Sequence, residues 1–271
     1  MTDRYAVIGN PIAHSKSPII HAAFARQTGQ DLTYEAILGP LDGFSKTVAT
    51  FRQAGGHGMN VTVPFKLAAL EVADKSTERA RQAGAVNTLR FDPEGIFGDN
   101  TDGLGLVRDI RDRLAFPLRG KRILILGAGG AARGVILPLL EEQPAQLVIA
   151  NRSVGKAEAL KMQFAPFGNL AVGGFEDVSG GAFDLVINAT SASLGTESLR
   201  LSEGLFAPGA LAYEMVYGKG NTPFMTDALR LGAARVADGL GMLVAQAAES
   251  FYLWRGVRPD TAPVLQTLQG G

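Results

Sequence analysis

Residues 121–132 read KRILILGAGGAA, and the fold follows from this stretch. Ile123, Leu124, Ile125 and Leu126 form a continuous apolar run, as a strand buried on both faces requires. Gly127, Ala128, Gly129 and Gly130 follow at once as a glycine-rich turn. Beyond it Ala131, Ala132, Val135, Ile136, Leu139 and Leu140 recur at helical spacing. Strand, turn and helix in that order give a G-x-G-x-x-A motif the context of a dinucleotide site. Gly127 permits the tight turn, Gly129 lets a pyrophosphate approach the backbone, and Ala132 lets helix and strand pack closely. The helix N-terminus then offers free N–H groups and a partial positive charge to phosphates.

A second strand, residues 146–150, ends in Asn151-Arg152-Ser153, with Lys156 close behind. An NAD-binding unit usually carries an acid here for the ribose 2′-hydroxyl. This turn has none and supplies two cations, a hydroxyl and an amide, which suits a 2′-phosphate and predicts NADP over NAD. The plain alternative is a solvated basic turn.

The chain has 271 residues, 46% of them hydrophobic, with a formal net charge of zero. That is enough for two ordinary domains with sizeable cores. With no basic block, nucleic acid and anionic membrane are not expected partners. Cysteine is absent, which excludes disulfides and thiolate catalysis. His14, His21 and His57 lack ligand-like spacing with carboxylates, so no metal is expected. The N-terminus enters a strand-like YAVIG directly and no apolar run reaches membrane-spanning length, so a cytoplasmic location is expected.

Outward from the glycine turn, other stretches carry candidate chemistry. Asn10 to Lys16 forms a loop before Ser17-Pro18, which suit a helix N-cap and first turn. Ser15 and Ser17 therefore either hold a substrate carboxylate or serve the helix start; His14 reads as a loop histidine. Residues 59–63 read as a short strand, and Pro64-Phe65-Lys66 opens a helix with Lys66 in its first turn. A helix N-terminus disfavours an ammonium, whereas a nearby carboxylate favours it. Asp102, in GDNTDG (98–103), is a candidate for that partner and equally a candidate N-cap for the helix after it. Asn87 is polar amid apolar residues, a turn former or a ligand contact. Gln246 lies in an apolar helix and must find a partner, either a substrate hydroxyl or neighbouring backbone.

Taken together, NPIAHSKSP (10–18), NVTVPFK (60–66), AGAVNTL (83–89), GDNTDG (98–103), GAGGAA (127–132), NRS (151–153), NATS (188–191) and ADGLGMLVAQAA (237–248) closely resemble the shikimate dehydrogenase family. The resemblance implies two α/β domains, a substrate domain over 1–103 and 239–271 and a Rossmann-like NADP-binding domain over 104–238. The active site is then expected in the cleft between them, with hinges near residues 102–105 and 236–240. It implies NADPH-dependent, reversible reduction of 3-dehydroshikimate to shikimate, a step of aromatic amino-acid biosynthesis, by a monomer or homodimer. By the same resemblance Lys66 and Asp102 form the catalytic pair. Ser15 and Ser17, with Tyr217, bind the substrate carboxylate; Thr62, Asn87, Asp102 and Gln246 contact its hydroxyls or the reacting oxygen. Gly127, Ala128, Gly129, Gly130 and Ala131 carry the pyrophosphate, and Asn151, Arg152, Ser153 and Lys156 the 2′-phosphate end. Thr190, Met215 and Gly239 line the nicotinamide pocket, and Glu78 matches a residue near the cofactor. One departure stands out: Glu214 occupies the usual aspartate position before Met-x-Tyr. Two alternatives are a quinate/shikimate dehydrogenase of broader cofactor use and a catalytically silent NADP- or shikimate-sensing protein.

Overall fold

The computed structural model describes residues 2–190, 199 and 201–270. Within it the chain divides into two compact units, Met1–Gly105 with Leu243–Gly271, and Leu106–Met242. The first begins with β1 (Asp3–Gly9), whose residues from Tyr5 onward are buried. Next come α1 (Ser17–Thr28), β2 (Leu32–Leu38), α2 (Phe44–Gln53), β3 (Gly56–Val61) and α3 (Lys66–Val72). They are followed by β4 (Lys75–Ser76), α4 (Glu78–Ala83), β5 (Thr88–Asp92), β6 (Gly95–Asp99) and α5 (Asp102–Arg108). The strand order is β2-β1-β3-β5-β6-β4. β1 lies parallel to β2 and β3, and β5 runs antiparallel to β3 and β6. Side chains of β1 and β3, among them Ala6, Ile8, Met59 and Val61, pack with Phe44, Val48 and Phe51 of α2.

The α1 helix does not start as its sequence suggests. Ser17 is its first residue rather than its cap, and Ser15 Oγ instead accepts the Ser17 N–H at 3.3 Å. The next α3 helix starts at Lys66, with Pro64 in the turn before it rather than in its first turn. Asp102 is not an N-cap either: Asn100 Oδ1 accepts its N–H at 3.1 Å, which frees the Asp102 carboxylate.

The second unit takes up the chain at Leu106, within α5, which runs into a π-helical turn, Asp109–Arg113, where the spacing of Leu104, Val107, Ile110 and Leu114 predicts one unbroken helix. Asp109 heads this turn, its carbonyl accepting from Leu114 N at 3.0 Å. It is 2% exposed, is paired by the Arg113 guanidinium, and accepts from the Tyr213 hydroxyl at 2.6 Å. The unit continues with β7 (Arg122–Leu126), α6 (Gly130–Glu141), β8 (Gln146–Ala150), α7 (Val154–Phe164) and β9 (Leu170–Gly173). β10 (Phe183–Asn188), β11 (Phe206–Glu214), α8 (Pro223–Arg230) and β12 (Arg235–Ala237) complete its sheet. The order is β12-β11-β10-β7-β8-β9, parallel throughout. Ile123 and Ile125 enter one apolar core and Leu124 and Leu126 the other, so β7 is buried on both faces. Strand order reverses between β7 and β10, where a doubly wound sheet opens a ligand crevice.

α9 (Leu240–Arg255) follows, with the Leu240 N–H donating to Asp238 Oδ1, and then α10 (Ala262–Gln269). From Leu243 on, this segment belongs to the first unit. Phe251 is fully buried there, Trp254 stacks on Tyr5 at 4.6 Å, and its Nε1–H donates to Leu89 O at 3.0 Å.

Candidate active site

The first unit gathers five of its predicted polar residues at one end of the sheet. The Thr62 N–H donates to Ile8 O, and its carbonyl accepts from Phe65 N. This turn delivers Lys66 at the start of α3. A side chain at Gly9 would come within 2.4 Å of Thr62 Cγ2, so glycine there makes room for the threonine. Lys66 Nζ lies 2.5 Å from Asp102 Oδ2, with the two side chains 30% and 23% exposed. The pair is thus sheltered yet open on one side.

Asp102 is held from behind. Asn87, 3% exposed, donates through Nδ2 to Asp102 Oδ1 at 2.9 Å and to Gln246 Oε1 at 3.3 Å. Gln246 Nε2 donates to Leu243 O at 2.9 Å, so neighbouring backbone meets part of its need. Upstream, Arg79 clamps the buried Asp99 through Nε and Nη2 and reaches Asn100 O. That fixes the loop carrying Asn100, Thr101 and Asp102.

Beneath these residues lies a layer that sequence reading missed. Asn60 donates to Thr88 Oγ1 at 3.1 Å, Ser250 Oγ at 2.9 Å and Asn87 O at 3.2 Å. Its Oδ1 accepts from the Tyr34 hydroxyl at 2.7 Å. Burial pushes the Tyr34 phenol well above its ordinary range, and the Ser17 side chain beside it opposes that rise. A polar chain therefore runs from Ser17 through Tyr34, Asn60 and Asn87 to Asp102 and Lys66. The sequence offers only one polar residue in each of two apolar strands, Asn60 and Thr88; their pairing exists only in the fold. Ser17 is 8% exposed, Ser15 half-buried and His14 exposed. Glu78 is exposed at the start of α4, where Gln82 and then Arg81 hold its carboxyl below the usual range.

In the second unit the glycine turn sits where the strand order reverses. Gly127 has φ +106°, and a Cβ there would meet Thr190 Cγ2 at 3.1 Å, so the turns after β7 and β10 touch. No side chain caps α6, Gly129, Gly130 and Ala131 are exposed, and both glycines face open space. These free donors and bare backbone fit a pyrophosphate. At the end of β8, Asn151 Nδ2 donates to Ser153 O at 2.9 Å. Arg152 and Lys156 are exposed, and neither forms an ion pair among the described residues. Two unneutralised cations fit a phosphate ester better than a ribose diol.

Thr190, Met215 and Gly239 converge around Asn188. Its Oδ1 accepts from the Thr190 N–H and hydroxyl, its carbonyl accepts from Met215 N, and Val216 O accepts from Gly239 N. A Cβ on Gly239 would lie 2.2 Å from Met215 O, so the strand-end turn closes only over glycine. The departing residue Glu214 is fully buried and accepts from Asn188 Nδ2, Thr222 Oγ1 and Val216 N. Tyr217, two residues beyond Met215, is 40% exposed. Ser191 and the segment 192–198 lie outside the described residues. Among those described, no His/Cys/Asp/Glu group could hold a metal, and no helix is long and apolar enough to cross a membrane.

A parallel sheet with a bare glycine turn at its point of reversal defines an α/β protein with a dinucleotide-binding unit. Family models match three stretches: the shikimate dehydrogenase substrate binding domain over 7–89, shikimate / quinate 5-dehydrogenase over 110–197, and the shikimate 5′-dehydrogenase C-terminal domain over 239–269. Shikimate dehydrogenase (NADP(+)) of Dechloromonas aromatica is 64% identical over 269 residues, 99% of this chain and 98% of that one. A crystal structure of an Ael1 enzyme from Pseudomonas putida superposes with a TM-score of 0.95 at 52% identity, over 98% of each chain. Shikimate 5-dehydrogenase from Thermus thermophilus, in complex with NADP(H) and shikimate, does so at 0.87 and 33%, again over 98% of each. The chain belongs to the shikimate dehydrogenase family.

Proposed function

We propose that this protein is an NADP-dependent shikimate dehydrogenase, reducing 3-dehydroshikimate reversibly to shikimate. The observation that carries the reading is the Lys66–Asp102 pair, 2.5 Å apart and half-sheltered, in a chain of this family. NADPH, when bound, supplies the hydride. Negative charge then develops on the carbonyl oxygen of the substrate. The Lys66 ammonium stabilises that charge and donates the proton; in the reverse direction Lys66 takes the proton from the hydroxyl. Asp102 keeps Lys66 in place and shares substrate hydroxyls with Thr62, Asn87 and Gln246. Ser15 and Ser17 bind the substrate carboxylate, with Tyr217 as a third donor.

Gly127, Ala128, Gly129, Gly130 and Ala131 carry the pyrophosphate on backbone N–H groups. Arg152 and Lys156 pair with the 2′-phosphate, and Asn151 and Ser153 shape the turn around it. Thr190, Met215 and Gly239 line the nicotinamide pocket. The enzyme works in the cytoplasm, as a monomer or homodimer.

Initial rates with shikimate and quinate, each crossed with NADP+ and NAD+, test this reading. Turnover confined largely to shikimate with NADP+ is expected. Comparable turnover of quinate or with NAD+ places the protein among dehydrogenases of broader specificity. Binding of NADP+ with no turnover of either acid overturns the enzymatic reading.

A further inference from the structure

The Asn87 carboxamide has one orientation that satisfies its neighbours. The Thr101 backbone N–H can only donate, and it reaches Asn87 Oδ1 at 2.9 Å. Nδ2 is therefore the end that faces Asp102. Thr88 reinforces this choice, because its hydroxyl donates to the same Oδ1 at 2.8 Å. Behind Thr88 stand Asn60 Nδ2 at 3.1 Å and Ser250 Oγ at 2.8 Å. Asn60 is itself oriented, since its Nδ2 also reaches the backbone carbonyl of Asn87. Thr88 is fully buried and pairs with Asn60 in the β3–β5 register. Valine would match the shape of this side chain but would leave the groups bonded to its hydroxyl without that partner. The hydroxyl adds direction: it keeps the acceptor end of Asn87 inward and the donor end on Asp102.

We propose that Thr88 is a positioning residue for the reaction, acting through Asn87 on the Lys66–Asp102 pair without touching substrate. This rests on the reading of that pair as catalytic. Losing the Thr88 donor leaves Asn87 Oδ1 held by Thr101 alone and loosens the carboxamide in its place. Asp102 then loses its lateral donor, and Lys66 loses alignment with the reacting oxygen.

The test is Thr88→Val in the full-length enzyme, assayed with shikimate and NADP+. We expect a lowered melting midpoint, because Asn60 Nδ2 and Ser250 Oγ lose a buried partner, an unchanged KM for NADP+, and kcat about tenfold lower, the scale of a small misalignment of reacting groups. Thr88→Ser restores the hydroxyl and should return kcat to within about twofold of wild type. In an Asn87→Ala background the valine substitution should change kcat by less than about twofold, because the group it acts through is gone. A wild-type kcat in Thr88→Val, a serine variant as slow as the valine one, or an equal loss in the Asn87→Ala background each overturns the proposal. If the valine variant does not fold, Thr88→Cys, a weak donor of similar size, is judged by the same outcomes. Absence of turnover in the wild type overturns the functional reading and this one with it. Wild-type turnover with an unaffected valine variant overturns this one alone.

Discussion

Among the described residues Lys66 has one charged partner, Asp102, and its other side is open. Replacing it by alanine removes both the ammonium that faces the developing charge and the proton it transfers. Lys66→Ala should lower kcat by about a hundredfold or more, with a much smaller change in KM for shikimate. Steady-state rates at saturating NADP+ check this, and an unchanged kcat would remove Lys66 from the chemistry. His21 makes a different argument at the same scale. It is 1% exposed, stacked on Tyr34 with centroids 4.2 Å apart, and neither ring nitrogen has a hydrogen-bond partner among the described residues. Burial, against a smaller opposing effect of Asn60, lowers its pKa from 6.5 to about 3. The unfolded chain protonates this ring below about pH 6.5, whereas the folded ring stays neutral down to about pH 3. Its contribution to stability is therefore full above the first value, falls between the two, and levels off below the second. The difference is on the order of a few kcal/mol. His21→Phe should flatten that fall, read from urea midpoints of both proteins at pH 7 and pH 4.5.

Among elements, the turn after β8 is the one proposed to set cofactor choice. Arg152 and Lys156 stand exposed there, at the end of a strand whose neighbour β7 leads into the glycine turn. Arg152→Ala should raise KM for NADP+ about tenfold and leave NAD+ use nearly unchanged, as loss of one solvent-exposed charge-assisted contact predicts. Equal losses with both cofactors would reassign the turn. The nucleotide-binding elements were legible in sequence because their signal is local. A doubly buried strand leaves an unbroken apolar run, and a bare helix start leaves glycines. The strands missed, β4, β9 and β12, have two to four residues each, too few for any period to register. The π-turn was missed for another reason. Asp109, which heads it, is held by Arg113 and by Tyr213, a hundred residues away, and no local pattern records that second partner. The same holds for Asn60, Thr88 and Ser250: each is ordinary in its own segment, and the polar layer exists only once β3, β5 and α9 are assembled. At Ser17 and Asp102 the capping rule placed the helix starts to within one residue but assigned the cap wrongly: each is the first helical residue, and Ser15 and Asn100 accept their N–H groups.

At the scale of the whole molecule, the first unit is built from both ends of the chain. The last segment supplies Phe251 and Trp254 to its core and Gln246 and Ser250 to its polar layer. Arg255 also pairs with Asp3, and Gln27 exchanges hydrogen bonds with Asp260. A chain ended at Met242 should have no turnover and should lose hydrogen-exchange protection in β1, β2 and β3. Protection of β7, β8 and β10 should persist, since their two cores draw only on residues 106–242. Loss of protection in both units together would mean that they unfold as one.

The discontinuous first unit also sets an order of events on the ribosome. Synthesis proceeds from the N-terminus, and domains generally fold as units while it does so. The first hundred residues emerge early but lack the α9 side chains that cover Tyr5 and complete the Asn60 layer. The middle of the chain becomes self-sufficient sooner, once β12 has left the exit tunnel. The nucleotide-binding half is therefore the earlier of the two to reach its native form. The nascent N-terminal half waits, with Phe24 and the His21 ring uncovered, for the final segment of the chain.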